Sequence, residues 1–272
     1  MRWPFVKLVA AGNDFVLLDT DVCGTPEDIS ALGRWVCRPH TGIGADGLIL
    51  LARLAPDRLR VTVVNPDGSV AKMCGNGIRC AAYHAFATGT AGPVDIEFGP
   101  HRLRAWPRGD LIEVTSPLRA GVAGPISLAG LDFHTVDTGT GYAVAVVPDA
   151  AVIDMNELGA FIRYHPEFAP GGVSVSVLQV VADGLVVRTY ERGNEEETLA
   201  CGSGAVACAL VARSLDLVAD GVIAAHTRGG EPLRVRVGGA ALTLTGPATT
   251  VFDGAVEWAP VTAGAAVPAP AR

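Results

Sequence analysis

Lysine is almost missing from this chain: Lys7 and Lys72 are the only two in 272 residues, and the formal net charge is −7. A surface for nucleic acid or an anionic membrane needs clustered cations, so this composition argues against both. A small molecule is the partner that fits. Long apolar runs are missing too. No stretch reaches the ~18 uncharged apolar residues of a membrane span, and the N-terminal MRWPFVKLVAAGNDF has no sustained apolar leader region. A soluble, cytoplasmic protein is expected. The six cysteines (Cys23, Cys37, Cys74, Cys80, Cys201 and Cys208) form no CxxC pair, and a chain of this length needs no disulfide staples. They are expected as reduced thiols, most of them small buried residues. The histidines His40, His84, His101, His134, His165 and His226 show no ligand spacing, so no metal is expected. What the chain has in quantity is apolar material, 49% of its residues, enough for one large domain or two ordinary ones.

One short arrangement occurs twice. MCGNGIRC, Met73 to Cys80, leads into AAYHAFA, which reads as a helix, and ACGSGAVAC, Ala200 to Cys208, repeats it 127 residues later. The same offset lays AGNDF, with Gly12, on TGTGY, with Gly139, and Gly47 of GADGLILL on Ser174 of GVSVSVLQ. Further on, HRLRAWPRGDLIEVTSP matches EPLRVRVGGAALTLTGP at an offset drifted to 130. Each alternates around a Gly-containing turn, as a hairpin with one buried face does. Because strand, turn, cysteine and helix recur in one order, the chain reads as a duplication. The expected halves are 1–118 and 119–259, divided in LRAGVAGPISLAG, with an Ala/Pro-biased tail, 260–272, expected to be disordered. Each half is expected to hold several strands, one good helix starting just after its cysteine, and a hairpin.

The chemistry of a cysteine at a helix mouth follows from helix ends. The first N–H groups of a helix lack internal partners and carry partial positive charge, so the turn before them holds anions. Gly75 and Gly77, and Gly202 and Gly204 in the repeat, let a ligand approach the backbone closely. Each turn is thus a candidate carboxylate cup, and the same field is expected to lower a free thiol pKa of ~8.5 toward neutrality at Cys74 and Cys201. If the halves face each other across their pseudo-twofold relation, one thiol lies on each side of a bound ligand. Two acid/base groups on opposite faces of one carbon can remove a proton and return one from the other side, inverting the centre. An amino acid's α-proton is very weakly acidic, and the usual remedy is a pyridoxal Schiff base on a lysine. Lys7 sits in a strand-like run and Lys72 has no phosphate cup of its own, so a cofactor-free route is better supported.

At these residues the chain resembles the diaminopimelate epimerase family, within the cofactor-independent two-cysteine racemases. The resemblance runs through AGNDFVLLD, GIGADGLIL, NPDGSVAKMCGNGIRC, YERG, ETLACGSGA and TGPA. It implies an α+β fold of two pseudo-symmetric domains, each a curled, mostly antiparallel sheet around a central helix. The active site then lies in the interdomain cleft, with an amino-acid substrate, no cofactor, and an assembly compatible with a homodimer. By the same resemblance Cys74 and Cys201 match the catalytic thiols, and Gly75, Asn76, Gly202 and Ser203 match the cups for the reacting carboxylate. Asn13, Asn65, Glu191 and Arg192 match substrate-binding polar residues, Glu191 toward the ammonium group and Arg192 toward the distal carboxylate.

Three departures fall on the substrate side. Where the family usually reads GNPH this chain has Gly139-Thr140-Gly141-Tyr142, losing an amide and a histidine thought to assist a thiol. Where it usually reads NV this chain has Ser174-Val175, losing a second amide, and ERGNEEETLACG is one residue longer than usual. Thr140 and Ser174 thus enter the substrate-binding set in place of the amides. A site that loses polar partners discriminates against its former ligand, so the chemistry is expected intact and the substrate either LL-diaminopimelate or another polar amino acid. Simpler readings stand beside these. Asn13 and Asn65 serve as turn residues in GND and NPDG, and Glu195 to Glu197 read as a solvated hairpin tip. A proton-shift isomerase, or a binder of a small carboxylate without chemistry, would use the same paired cups.

Overall fold

The computed structural model describes residues 2–116, 121–230, 233–239 and 241–258. The expected boundary at 118 and the tail from 260 onward lie outside the described residues. The first half contains β1 (Arg2–Ala10), β2 (Asn13–Asp19), α1 (Thr20–Cys23), α2 (Ile29–Val36), β3 (Gly47–Ala55), β4 (Arg58–Val64), α3 (Gly75–Ala87), β5 (Val94–Phe98), β6 (His101–Arg108) and β7 (Leu111–Thr115). The second contains β8 (Val122–Leu128), β9 (Leu131–Asp137), β10 (Gly141–Val146), α4 (Met155–Arg163), β11 (Ser174–Val181), β12 (Gly184–Glu191), β13 (Glu196–Glu197), α5 (Gly202–Ser214), β14 (Gly221–His226), β15 (Leu233–Val237), β16 (Thr243–Pro247) and β17 (Thr249–Glu257).

The pairing repeats as the sequence does. β2 runs parallel to β3, β3 antiparallel to β4, β4 parallel to β5, and β5, β6 and β7 form an antiparallel meander. In the second half β10, β11, β12, β14, β15 and β16 pair in the same order with the same directions. The two parallel steps per half are crossovers, and the second of them carries the central helix over the sheet. Helices α3 and α5 each have 13 residues and start 127 positions apart. Both are rich in Ala and Gly, so the curled sheet closes tightly on them. Ile78, Cys80, Ala81, Ala82 and Ala85 are buried in one core and Ala205, Val206, Cys208, Ala209 and Val211 in the other. A helix apolar on nearly every side is one enclosed by its own domain.

Each half has a second helix that the sequence reading lacks. α2 packs Leu32 and Val36 on the outer face of the first sheet with Val16, Leu18, Leu48 and Val64, and α4 packs Met155 and Ile162 on the second with Ala143, Val175 and Val177. Burying such a side chain stabilises by roughly 1.5–3 kcal/mol, and both helices carry a capping aspartate, Asp28 and Asp154. Gly159 is what lets α4 lie flat: a Cβ there would sit 2.3 Å from the Tyr190 side chain.

The halves are laced together by strands. β7 pairs antiparallel with β16, Leu244 opposite Val114, joining the two hairpins. The strand that follows each hairpin pairs with the opposite sheet, β8 following the first hairpin although its residues are counted above with the second half. β8 pairs with β9, and β17, counted with the second half from sequence, pairs along β1 from Arg2↔Glu257 to Val9↔Thr249.

Candidate active site

Each central helix begins on a cysteine. Cys74 has extended backbone (φ −152°, ψ 91°) and caps α3, its Sγ accepting from Gly77 N at 3.3 Å. Cys201 (φ −120°, ψ 110°) caps α5 in the same way, accepting from Gly204 N at 3.4 Å. The first intrahelical bonds are Ile78 N to Cys74 O and Ala205 N to Cys201 O. With those donors engaged, helix geometry leaves the N–H groups of Gly75 and Asn76, and of Gly202 and Ser203, without an internal acceptor at the two mouths. The mouths meet. A Cβ on Gly202 would lie 3.5 Å from Asn76 Oδ1 and 3.7 Å from Arg79 Nη1, and one cleft is lined by Met73, Gly75, Arg79, Gly202, Ser203 and Leu244.

The thiols depart from the sequence expectation in one respect: burial outweighs the helix field. Burial pushes Cys74 up to about 11; the Gly77 amide opposes this, Glu191 adds to it, and Arg79 opposes it. Burial pushes Cys201 up to about 12, the Glu191 carboxylate adds to that, and hydrogen bonds from Tyr142, Ser203 and Gly204 work against it. The mouths do stabilise a thiolate as expected, but removal from water is the larger effect. Glu191, at the end of β12, is thus an electrostatic neighbour of both cysteines. Its own pKa is raised by burial, hydrogen bonding with Cys201 lowering it and Asp46 raising it further.

Around the thiols the halves differ. Tyr142, 1% exposed, sets its hydroxyl 3.1 Å from Cys201 Sγ and 2.7 Å from Ser203 Oγ. Its equivalent at the repeat offset is Phe15, which has no hydroxyl. On the first side the polar groups form a chain instead. Arg79 Nη2 donates to Asn76 Oδ1 at 2.6 Å, Asn76 Nδ2 to Asn13 Oδ1 at 2.6 Å, and Asn13 Nδ2 to Asp46 Oδ2 at 2.9 Å.

The candidates for the distal end gather about Arg192, next to Glu191. Its Nη2 donates to Thr140 Oγ1 at 3.4 Å and its Nη1 to the carbonyls of Gly171 and Gly172. Among the described residues no carboxylate pairs with it. Ser174 is fully buried, its Oγ accepting from Arg192 N at 3.1 Å, so it steadies the main chain of Arg192 instead of facing a ligand. Asn65 stands apart: its amide donates to Ser69 Oγ at 3.0 Å within its own turn, and among the described residues no hydrogen bond links it to the other candidates. The acidic run is not a solvated tip throughout. Glu197, 4% exposed at its side chain, takes a two-pronged pair from Arg188 at 2.7 and 2.9 Å and a third bond from Arg228, while Glu195 pairs with Arg163 at 3.1 Å.

The sequence profile described as "Diaminopimelate epimerase" matches residues 5–100 and 134–251. The chain is 38% identical over 270 residues to the diaminopimelate epimerase of Aquifex aeolicus, covering 92% of this chain and 96% of that one. To the diaminopimelate epimerase of Methanocella arvoryzae it is 35% identical over 271 residues, covering 93% and 96%. The chain belongs to the diaminopimelate epimerase family. Among solved structures, the fold is similar to a hydroxyproline epimerase from Agrobacterium vitis, with TM-score 0.70 and 16% identity over 94% of this chain and 92% of that one. It is also similar to a PhzF-family phenazine biosynthesis protein of Bacillus anthracis, with TM-score 0.73 and 13% identity over 95% and 100%. These two likenesses concern the fold alone.

Within the diaminopimelate epimerase family fold, three polar residues beside the thiols were missed from sequence. Tyr142 was read there only as a lost histidine, yet its hydroxyl reaches Cys201. Arg79 had a legible signal, as the one charged residue between Asn76 and Tyr83 in an apolar helix. Asp46, held by Asn13 and by the Asp14 backbone, reads in GADG as an ordinary turn acid.

Proposed function

We propose that this protein inverts the α-carbon of an amino acid by a two-base mechanism without an electron-sink cofactor. The observation that carries the reading is the pair of cysteine-capped helices opening on one cleft with Glu191 beside both thiols. In this reading the substrate carboxylate sits on the amides of Gly75, Asn76, Gly202 and Ser203, with Asn13 holding the side chain of Asn76. The substrate ammonium pairs with Glu191. One thiolate takes the α-proton, negative charge spreads onto the carboxylate held at the two mouths, and the opposite thiol returns a proton to the other face. One proton leaves and one arrives, so the two sulfurs exchange protonation states. Binding itself prepares the base: Glu191 pushes both thiols up, and an ammonium group paired to it removes that repulsion.

Arg192, with no carboxylate partner among the described residues, supports a substrate whose distal end is acidic or polar. LL-diaminopimelate is one such substrate. Thr140 beside Arg192 and a buried Ser174 favour a differently decorated tail. The test is α-proton exchange in deuterium oxide under reducing conditions, followed by NMR, with LL-diaminopimelate, glutamate, aspartate, lysine and leucine. Exchange with inversion is expected for an acid-tailed member. Exchange with LL-diaminopimelate alone would sink the altered-substrate idea, and exchange with leucine alone would overturn the assignment of Arg192.

A further inference from the structure

Arg79 is fully buried, yet no ion pair is made for it among the described residues. Its partners are neutral: Asn76 Oδ1 at 2.6 Å and the Pro247 carbonyl at 3.5 Å. Nη1 is buried with no hydrogen-bond partner among the described residues. A guanidinium shut away from water without a counter-ion is strongly unfavourable, and packing of its stem does not offset that. The fold itself does not require an arginine here. At the repeat offset α5 has Val206, which lines the same cleft from the other side. The unpartnered Nη1 is the nitrogen that lies 3.7 Å from a Cβ placed on Gly202, the first residue of the opposite helix.

We propose that Arg79 is a positioning residue whose buried positive charge, set between the two helix mouths, supplies the missing counter-charge to a carboxylate bound there. It acts directly through its field and indirectly by orienting Asn76, and it makes the cup stronger than two helix ends alone. Consistent with this, burial pulls Arg79 down to about 10, and negative charge on Cys80 or Cys74 moves it back up. The other charged groups facing Cys74 are Glu191 from β12 and Asp46 from the loop before β3; both are anionic, so Arg79 is the cation of the set.

The inference rests on the carboxylate cup of the proposed function, and it is tested without turnover. Alkylation of Cys74 by iodoacetate, which bears a carboxylate, is compared with alkylation by neutral iodoacetamide, the labelled peptide being followed by mass. Both displace iodide from the same carbon, so their rate ratio cancels thiolate fraction and exposure. In the wild type this ratio is expected to exceed that of glutathione. It should fall about tenfold in R79Q, the scale of one charge-assisted contact, and R79K should retain most of it. A ratio unchanged in R79Q overturns the proposal. Should R79Q not fold, a wild-type ratio no greater than that of glutathione overturns it equally. The epimerase reading fails by a different result, inversion with solvent-deuterium incorporation that survives both single cysteine replacements.

Discussion

Cys74 and Cys201 sit where two effects oppose each other. A helix mouth favours the thiolate, burial favours the thiol, and in the ligand-free protein burial prevails, at about 11 and about 12. Because both values lie above neutrality, the thiolate fraction grows with pH, and kcat/KM is expected to rise from pH 7 toward pH 9. Glu191 pushes both thiols up, so E191Q separates two of its roles. Iodoacetamide labelling of Cys74 and Cys201 at pH 8 should accelerate by about tenfold, while epimerisation falls through loss of the ammonium partner. Slower labelling in E191Q would contradict the electrostatic assignment. Tyr142 works the other way, its hydroxyl favouring the Cys201 thiolate. In Y142F, kcat/KM at neutral pH should drop about tenfold, the order of one hydrogen bond, and recover as pH rises. A pH profile identical to the wild type would show that the hydroxyl does not act on Cys201. At this scale the sequence marked Cys74, Cys201, Glu191 and Arg192 as candidates through local motifs, and the fold places Glu191 as an electrostatic neighbour of both cysteines. The sequence hid Tyr142, whose contact with Cys201 depends on where β10 lays its side chains against α5, and it misplaced Glu197, because a run of three glutamates gives no sign that two arginines fold over one of them.

The two helix mouths look alike in sequence but differ in room. A Cβ on Gly75 meets only Leu244 Cδ2, at 3.8 Å, whereas a Cβ on Gly202 meets that atom at 2.8 Å as well as Asn76 and Arg79. G75A should therefore leave stability within about 0.5 kcal/mol, and G202A should lower it by about 1–3 kcal/mol through overpacking, both read by urea unfolding. Equal effects would mean that the mouths are not packed as described. The central helices were legible as elements because each carries its cysteine, its glycines and a long apolar run. The outer helices α2 and α4 were not. ISALGRWV and MNELGAFIR are short, each has an internal glycine, and their helical state owes more to the sheet beneath than to propensity.

The whole molecule is a duplication whose copies exchange a strand. The offset of 127 residues shows in sequence because strands, turns and helices recur in order, but pairing between halves leaves no local pattern, so β17 reads as the end of the second half. In the fold it covers β1, with Phe252 edge-on to Phe5 at 5.9 Å. A chain ending at Ala248 is expected to lose cooperative thermal unfolding, since the first sheet would keep an uncovered edge along β1; an unchanged melting transition would show that β17 is dispensable. Together with the β7–β16 pairing, this exchange ties together the two halves that meet at the cleft.

The two cysteine-capped helices whose mouths meet at one cleft are the centre of the account, and the proposed two-base role of their sulfurs is its central claim. It is tested most directly by following α-deuterium incorporation from deuterium oxide into the amino acid that the wild type epimerises, in C74A and C201A separately. The account predicts that each single replacement abolishes net inversion, with at least one of them losing α-exchange as well. Inversion with solvent deuterium that survives both replacements would contradict it.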